Sequence, residues 1–238
     1  MADNDGNLPT KKSSPGDVEA FLKKVAHTRP VKTPGKRGRL IFGMDATASR
    51  QPMWDRAAHI QGEMFSETAA LGGLDLQLAY YRGFGEFKAS NWLGDADKLL
   101  KLMSTVFCLA GETQIGKLLS HAINETKKEK VNALVFIGDC VEEDVDKLGA
   151  LAGELGILGL PVFMFQEGED PVATFAFGQI AKLTGGACCR FDATSAHVLR
   201  ELLSAVAVFA AGGRTALEDL GSKRGGEVLK LANMMKGK

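Results

Sequence analysis

The sequence predicts an α/β protein built as a three-layer, doubly wound, mostly parallel six-stranded sheet with one antiparallel edge strand. Three observations carry this. From Leu40 to Ala210 short apolar runs alternate with stretches of helical period, the pattern of strands joined by crossover helices. One link, Arg82-Gly83-Phe84-Gly85, is too short to hold a crossover helix, so the runs it joins must pair antiparallel. Val131 to Ile137 is a nearly continuous apolar run, as expected of a central strand covered on both faces.

Taken in order, residues 1–38 read as an extension. It has a polar lead, a short amphipathic helix from Asp17 to His27 with Phe21, Leu22 and Val25 on one face, and a link whose Pro30 and Pro34 cannot continue that helix. The basic residues Lys32, Lys36, Arg37 and Arg39 read as a solvated linker within reach of an acidic partner. A body over 39–211 follows. Its expected strands are Leu40 to Met44, Leu74 to Tyr81, Glu86 to Trp92, Val131 to Ile137, Val162 to Phe165 and Ala187 to Phe191. Its expected helices are Pro52 to Leu71, Asp95 to Val106, Gln114 to Lys128, Asp144 to Leu155, Ala173 to Leu183 and Ala196 to Ala210. Residues 212–238 form a tail with Gly breaks and one apolar-periodic piece, Val228 to Met235.

The 238 residues are 45% hydrophobic and 24% charged, enough to bury a core in one domain with extensions. A formal net charge of zero argues against nucleic acid as the main partner. The polar N-terminus lacks the apolar segment of a secretory signal, and the apolar run Leu202 to Ala211 is too short to span a bilayer, so a soluble cytoplasmic protein is expected. Cys108 and Cys140 sit in apolar sequence and Cys188 adjoins Cys189; none has zinc-site spacing, and all read as buried reduced thiols. His27, His59, His121 and His197 stand near no convincing nucleophile and read as surface or packing residues.

In open α/β sheets ligands bind at the carboxyl ends of the strands, where strand order reverses. Three segments bring oxygen donors there: Asp45, Thr47 and Ser49 after the first strand, Thr113 before a helix, and Asp139 after the apolar run. Two carboxylates and three hydroxyls, without His or Cys, suit a hard cation such as Mg²⁺, or Mn²⁺. Each residue by itself is equally explained as a helix cap, and Asp45 also as a nucleophile. Met53, Trp54 and Trp92 are candidate contact aromatics that core packing explains equally well; Glu142 and Glu143 form an acidic run on the same rim.

The three segments together resemble the metal-ion-dependent adhesion site (MIDAS) of von Willebrand factor A (VWA) domains, of the bacterial intracellular type. Asp45-Ala46-Thr47-Ala48-Ser49 corresponds to that family's Asp-x-Ser-x-Ser with Thr in the second place, Gly111-Glu112-Thr113-Gln114-Ile115-Gly116 to its Gly-Gly-Thr-x-Ile-Gly, and Gly138-Asp139 to its third loop. The resemblance spans roughly residues 38–211. It implies a Rossmann-like fold, a metal held by Asp45, Thr47, Ser49, Thr113 and Asp139, and an open coordination position that a partner's Asp or Glu completes. It also implies a non-enzymatic adaptor for protein–protein interaction, working beside ATPases or in larger assemblies.

Two other patterns compete. Gly111 to Lys117 fits the Gly-x4-Gly-Lys start of a phosphate loop, but Leu118 stands where a hydroxyl would hold Mg²⁺. A haloacid-dehalogenase-like phosphatase would use Asp45 as nucleophile, Asp139 with Asp144 to hold Mg²⁺, and Lys117 or Lys130 as charge partner. Thr47 is the obstacle there, since it cannot do the proton chemistry of the second Asp such enzymes carry.

Overall fold

The computed structural model describes residues 37–48, 73–191 and 196–224, together with Gly16, Ala20, Phe21, Lys24 and Val25. The expected helix from Pro52 to Leu71 and the piece from Val228 to Met235 lie outside these residues.

Alternation of apolar side chains along extended runs produces β1 (Gly38–Asp45), β2 (Leu74–Arg82), β3 (Glu86–Ala89), β4 (Ala133–Gly138), β5 (Val162–Glu167) and β6 (Ala187–Phe191). They form one six-stranded sheet in the order β3-β2-β1-β4-β5-β6. Every neighbouring pair is parallel except β2 with β3, joined by the short Gly-rich link. The helices are α1 (Ala96–Met103), α2 (Ile115–Lys128), α3 (Val145–Ile157), α4 (Pro171–Thr184) and α5 (Ala196–Arg224).

The two faces of β1 show how the layers arise. Leu40, Phe42 and Met44 pack with Leu99 and Met103 of α1 and Leu202 to Ala211 of α5. Ile41 points the other way, into a second cluster with Leu118 and Ala122 of α2, Leu148 of α3 and Phe177 of α4. Both clusters are fully buried, which is why the strands lack the polar alternation of an exposed sheet. Local signals then set the helix starts. Asp144 accepts from the amides of Asp146 and Lys147 at the head of α3, and Asp170 accepts from Ala173 ahead of Pro171 in α4.

Four features depart from or complete the sequence reading. Strand β3 ends at Ala89 rather than Trp92, and beyond it Leu93 makes a single bridge to Leu76. α5 is two helical stretches divided at Gly213, whose φ of 72° and ψ of -163° are not helical, so the first ends close to residue 211 and a second continues to Arg224. Part of the N-terminal extension is docked: Phe21 and Val25 are buried, and the Phe21 ring lies 5.3 Å from that of Phe165. Arg39 is not a linker cation. It lies within β1, 3.6 Å from Glu125 and 3.4 Å from Glu129, with its guanidinium 3.8 Å from the centre of the Trp92 ring.

Candidate metal centre

The chain leaves β1 for β2 on one side and later returns to β4 on the other, so a crevice opens at the carboxyl ends of β1 and β4. Asp45 is the last residue of β1, and Asp139 follows β4. A carboxylate oxygen of Asp45, one of Asp139 and the Cys140 sulfur all lie within 4.8 Å of one another. Asp45 is 1% exposed while Asp139 and Cys140 are half-buried, so the group runs from the floor of the crevice toward its opening. Its Oδ1 accepts the Thr47 amide at 2.7 Å, folding the loop back on itself. The Ala46 amide donates to the Tyr81 carbonyl and its carbonyl accepts from Leu109, which fixes the loop on both sides.

The second loop is brought in by glycine. A Cβ on Gly43 would lie 2.5 Å from Leu118 Cδ2, so the bare backbone there lets α2 close onto β1. A Cβ on Gly111 would lie 2.1 Å from the Gly83 carbonyl, so the loop before α2 is seated against the β2–β3 turn. Between them stands Thr113, 5% exposed.

Thr113 and Glu142 clasp each other. The Thr113 amide donates to the Glu142 carboxylate at 2.9 Å, and the Glu142 amide donates to Thr113 Oγ at 3.0 Å. The neighbouring Glu143 carboxylate accepts from the amides of Ile115 and Gly116, the first turn of α2. Helix capping therefore does not account for Thr113 or Asp139. Glu143 caps α2, Asp144 caps α3, and the Thr113 hydroxyl is held by a different loop.

Electrostatics follow from crowding acids in a buried place. Burial, with Asp139 beside it, pushes the Cys140 thiol up to about 12, so it carries its proton at neutral pH. Burial and the facing Asp45 carboxylate likewise raise the Tyr81 phenol well above its ordinary range. Like charges drawn together at the end of two strands are what a divalent cation would neutralise, and the carboxylates and hydroxyls present fit a hard one.

Of the residues singled out in the sequence, Asp45, Thr47, Thr113 and Asp139 stand on the loops of this one crevice. Ser49, Met53 and Trp54 lie outside the described residues. Trp92 is at the far end of β1, donating to Glu125 at 2.8 Å beneath Arg39. Glu142 is exposed and Glu143 half-buried on this rim, and their carboxylates accept amides of the Thr113 loop and of the start of α2. Cys140 is not in apolar surroundings as its sequence neighbours suggest, but beside two carboxylates; its place next to a strand-end Asp was the available signal. Phe84 and Phe107, 81% and 58% exposed, supply the aromatic surface at this end of the sheet. Phe84 stands between two glycines in the tight turn from β2 to β3.

The phosphatase arrangement is not assembled. Asp144 is engaged at the start of α3, the Lys117 ammonium donates to the Gly85 carbonyl and to Gln114, and Lys130 precedes β4 at the opposite end of the sheet.

No family model matches the sequence, and no curated protein matches it. Solved structures do. The chain is similar to the SpRpn10 VWA domain, with TM-score 0.56 and 13% identity over 71% of this chain and 94% of that one. It is also similar to a von Willebrand factor type A protein from Catenulispora acidiphila, with TM-score 0.57 and 16% identity over 71% of this chain and 42% of that one. A third likeness is to proximal thread matrix protein 1 of the mussel byssus, at TM-score 0.54 and 16% identity, covering 73% of this chain and 47% of that one. At such identities the likeness shows the fold, a VWA-like α/β sheet flanked by helices.

Proposed function

We propose that this chain is a cation-dependent protein–protein interaction module of the MIDAS type. Mg²⁺, or Mn²⁺, would be held by Asp45, Thr47, Thr113 and Asp139, with Ser49 added from the sequence pattern. The observation that carries the reading is the meeting of Asp45 and Asp139 at the switch point of a VWA-like sheet, with Thr47 and Thr113 on adjoining loops and with Glu143 and Asp144 capping α2 and α3. The bound cation would supply residual positive charge at an open position, and the chain's own groups do the rest. The Glu142 clasp holds Thr113 in place, Asp45 and Asp139 set the charge, and Phe84 and Phe107 offer apolar surface beside the opening.

A partner presenting an Asp or Glu next to apolar residues suits such a surface. Fold neighbours that include a VWA domain of SpRpn10 support an adaptor role within a larger assembly, one containing an ATPase among the candidates. No described helix is long and apolar enough to cross a membrane, which accords with a cytoplasmic module. No residue is assigned a catalytic role.

Pull-down of partners with and without chelator, read by mass spectrometry, tests this directly. Partners retained in Mg²⁺, lost in chelator and lost in Asp45→Ala are expected. Identical recovery in all three conditions would overturn the reading.

A further inference from the structure

We infer that Cys140 is a further donor to this centre and gives it a thiolate, so that it accepts borderline divalent cations, Zn²⁺ or Co²⁺, in a mode that Mg²⁺ cannot use. The inference rests on the proposal that the crevice at β1 and β4 is a cation site, and it concerns which class of cation that site takes.

The placement comes from the chain itself. Asp139 and Cys140 are consecutive, and the loop they begin is tied down a few residues later by Glu142 on Thr113 and by Glu143 on α2. These ties fix the backbone of the loop that carries Cys140. Its sulfur and a carboxylate oxygen from each of Asp45 and Asp139 already lie within 4.8 Å of one another, close to the spacing of three ligands around one ion. A second observation points to a ligand there. The Tyr81 hydroxyl is 1% exposed and makes no directed hydrogen bond, yet it faces Asp45 and Cys140. A buried hydroxyl in that position is a donor for a ligated carboxylate or a metal-bound water.

The chemistry then separates two classes of cation. Mg²⁺ takes oxygen and leaves the thiol a protonated bystander. Zn²⁺ and Co²⁺ take thiolate and carboxylate together, and the thiol proton leaves to solvent as the metal–sulfur bond forms. Two carboxylates and one thiolate fill three places of a tetrahedral set, leaving a fourth for water or a partner's carboxylate. Thr47 and Thr113, ligands for a hard ion, would stand aside.

The test is a titration of the full chain with Co²⁺, followed by thiolate-to-cobalt charge-transfer absorption, with a parallel Mg²⁺ titration followed by melting temperature. A charge-transfer band that disappears in Cys140→Ser, with Mg²⁺ stabilisation kept, is the expected result. Co²⁺ affinity should fall about tenfold or more in that variant, at least the loss typical of an outer-shell change. In wild-type chain, Zn²⁺ binding but not Mg²⁺ binding should release a proton, read in weakly buffered solution, which needs no variant to fold. No band and no proton release, with Mg²⁺ still stabilising, would overturn this inference and leave the hard-cation reading standing. A band that persists in Cys140→Ser would overturn it as well. Absence of stabilisation by any of the three cations would overturn both.

Discussion

Strand β1 carries charge at both ends, and the two ends are built on opposite principles. At its start, unlike charges meet. Arg39 lies between Glu125 and Glu129, its Nη1 donates to the Glu129 carbonyl at 2.7 Å, and Trp92 stacks beneath it while donating to Glu125. At its finish, like charges meet, with Asp45 against Asp139 inside 4.8 Å. The first arrangement is complete within the chain and serves stability. The second brings two carboxylates together, and their mutual repulsion is what a bound cation would relieve.

The most disruptive change is expected at the complete end. Arg39→Ala removes a cation from beside Glu125, whose side chain is only 10% exposed, and should cost about 3 kcal/mol, the range for breaking a buried pair. For a chain of this size that is a fall in melting temperature of roughly 6–12 °C, measurable by calorimetry. Cation affinity should be little changed.

The finish of β1 should respond the opposite way. Mg²⁺ at about 100 times its Kd should stabilise the wild type by about 2.7 kcal/mol and Asp45→Ala not at all, read by thermal shift. In chelator, Asp45→Asn should be more stable than wild type by about 1 kcal/mol, since it removes one of two crowded charges. If Asp45→Asn instead destabilised the chelated protein, Asp45 would be serving structure as Arg39 does and the contrast would collapse.

Acid should distinguish the ends further. Burial depresses the His121 imidazole below its usual range, with Glu125 opposing and Lys128 reinforcing. The folded chain therefore holds His121 neutral while the unfolded chain protonates near pH 6.5. Stability from this group is present above that pH and is lost as pH falls below it. His121→Gln should flatten that part of the pH–stability profile measured by urea unfolding. Smallest in stability is Phe84→Ser, expected to lie within about 0.5 kcal/mol of wild type because the ring is 81% exposed. It should nevertheless weaken partner recovery.

Much of this was legible in the chain. The strand runs, the antiparallel link and the strand-end positions of Asp45 and Asp139 are local patterns, each read within about a dozen residues. What escaped depends on distant partners. Arg39 looks like one more linker cation until Glu125 and Glu129, some ninety positions on, arrive beside it. Glu142 and Glu143 read as an acidic rim, and nothing nearby in sequence reveals that Glu142 will also hold the Thr113 amide and Glu143 the first amides of α2. Gly212-Gly213 does end a helix, and what the local pattern hid is that a second helical stretch follows it to Arg224.

Glu143 has a consequence for nucleotide chemistry as well. In a Gly-x4-Gly-Lys loop, the first amides of the following helix receive a phosphate. Here the same amides, of Ile115 and Gly116, already hold a carboxylate belonging to the chain, and being tethered it competes as an intramolecular ligand against anything free in solution. The segment Gly111 to Lys117 thus has the spelling of a phosphate loop with the seat already taken, and ATP would have to evict an internal occupant before it could sit down.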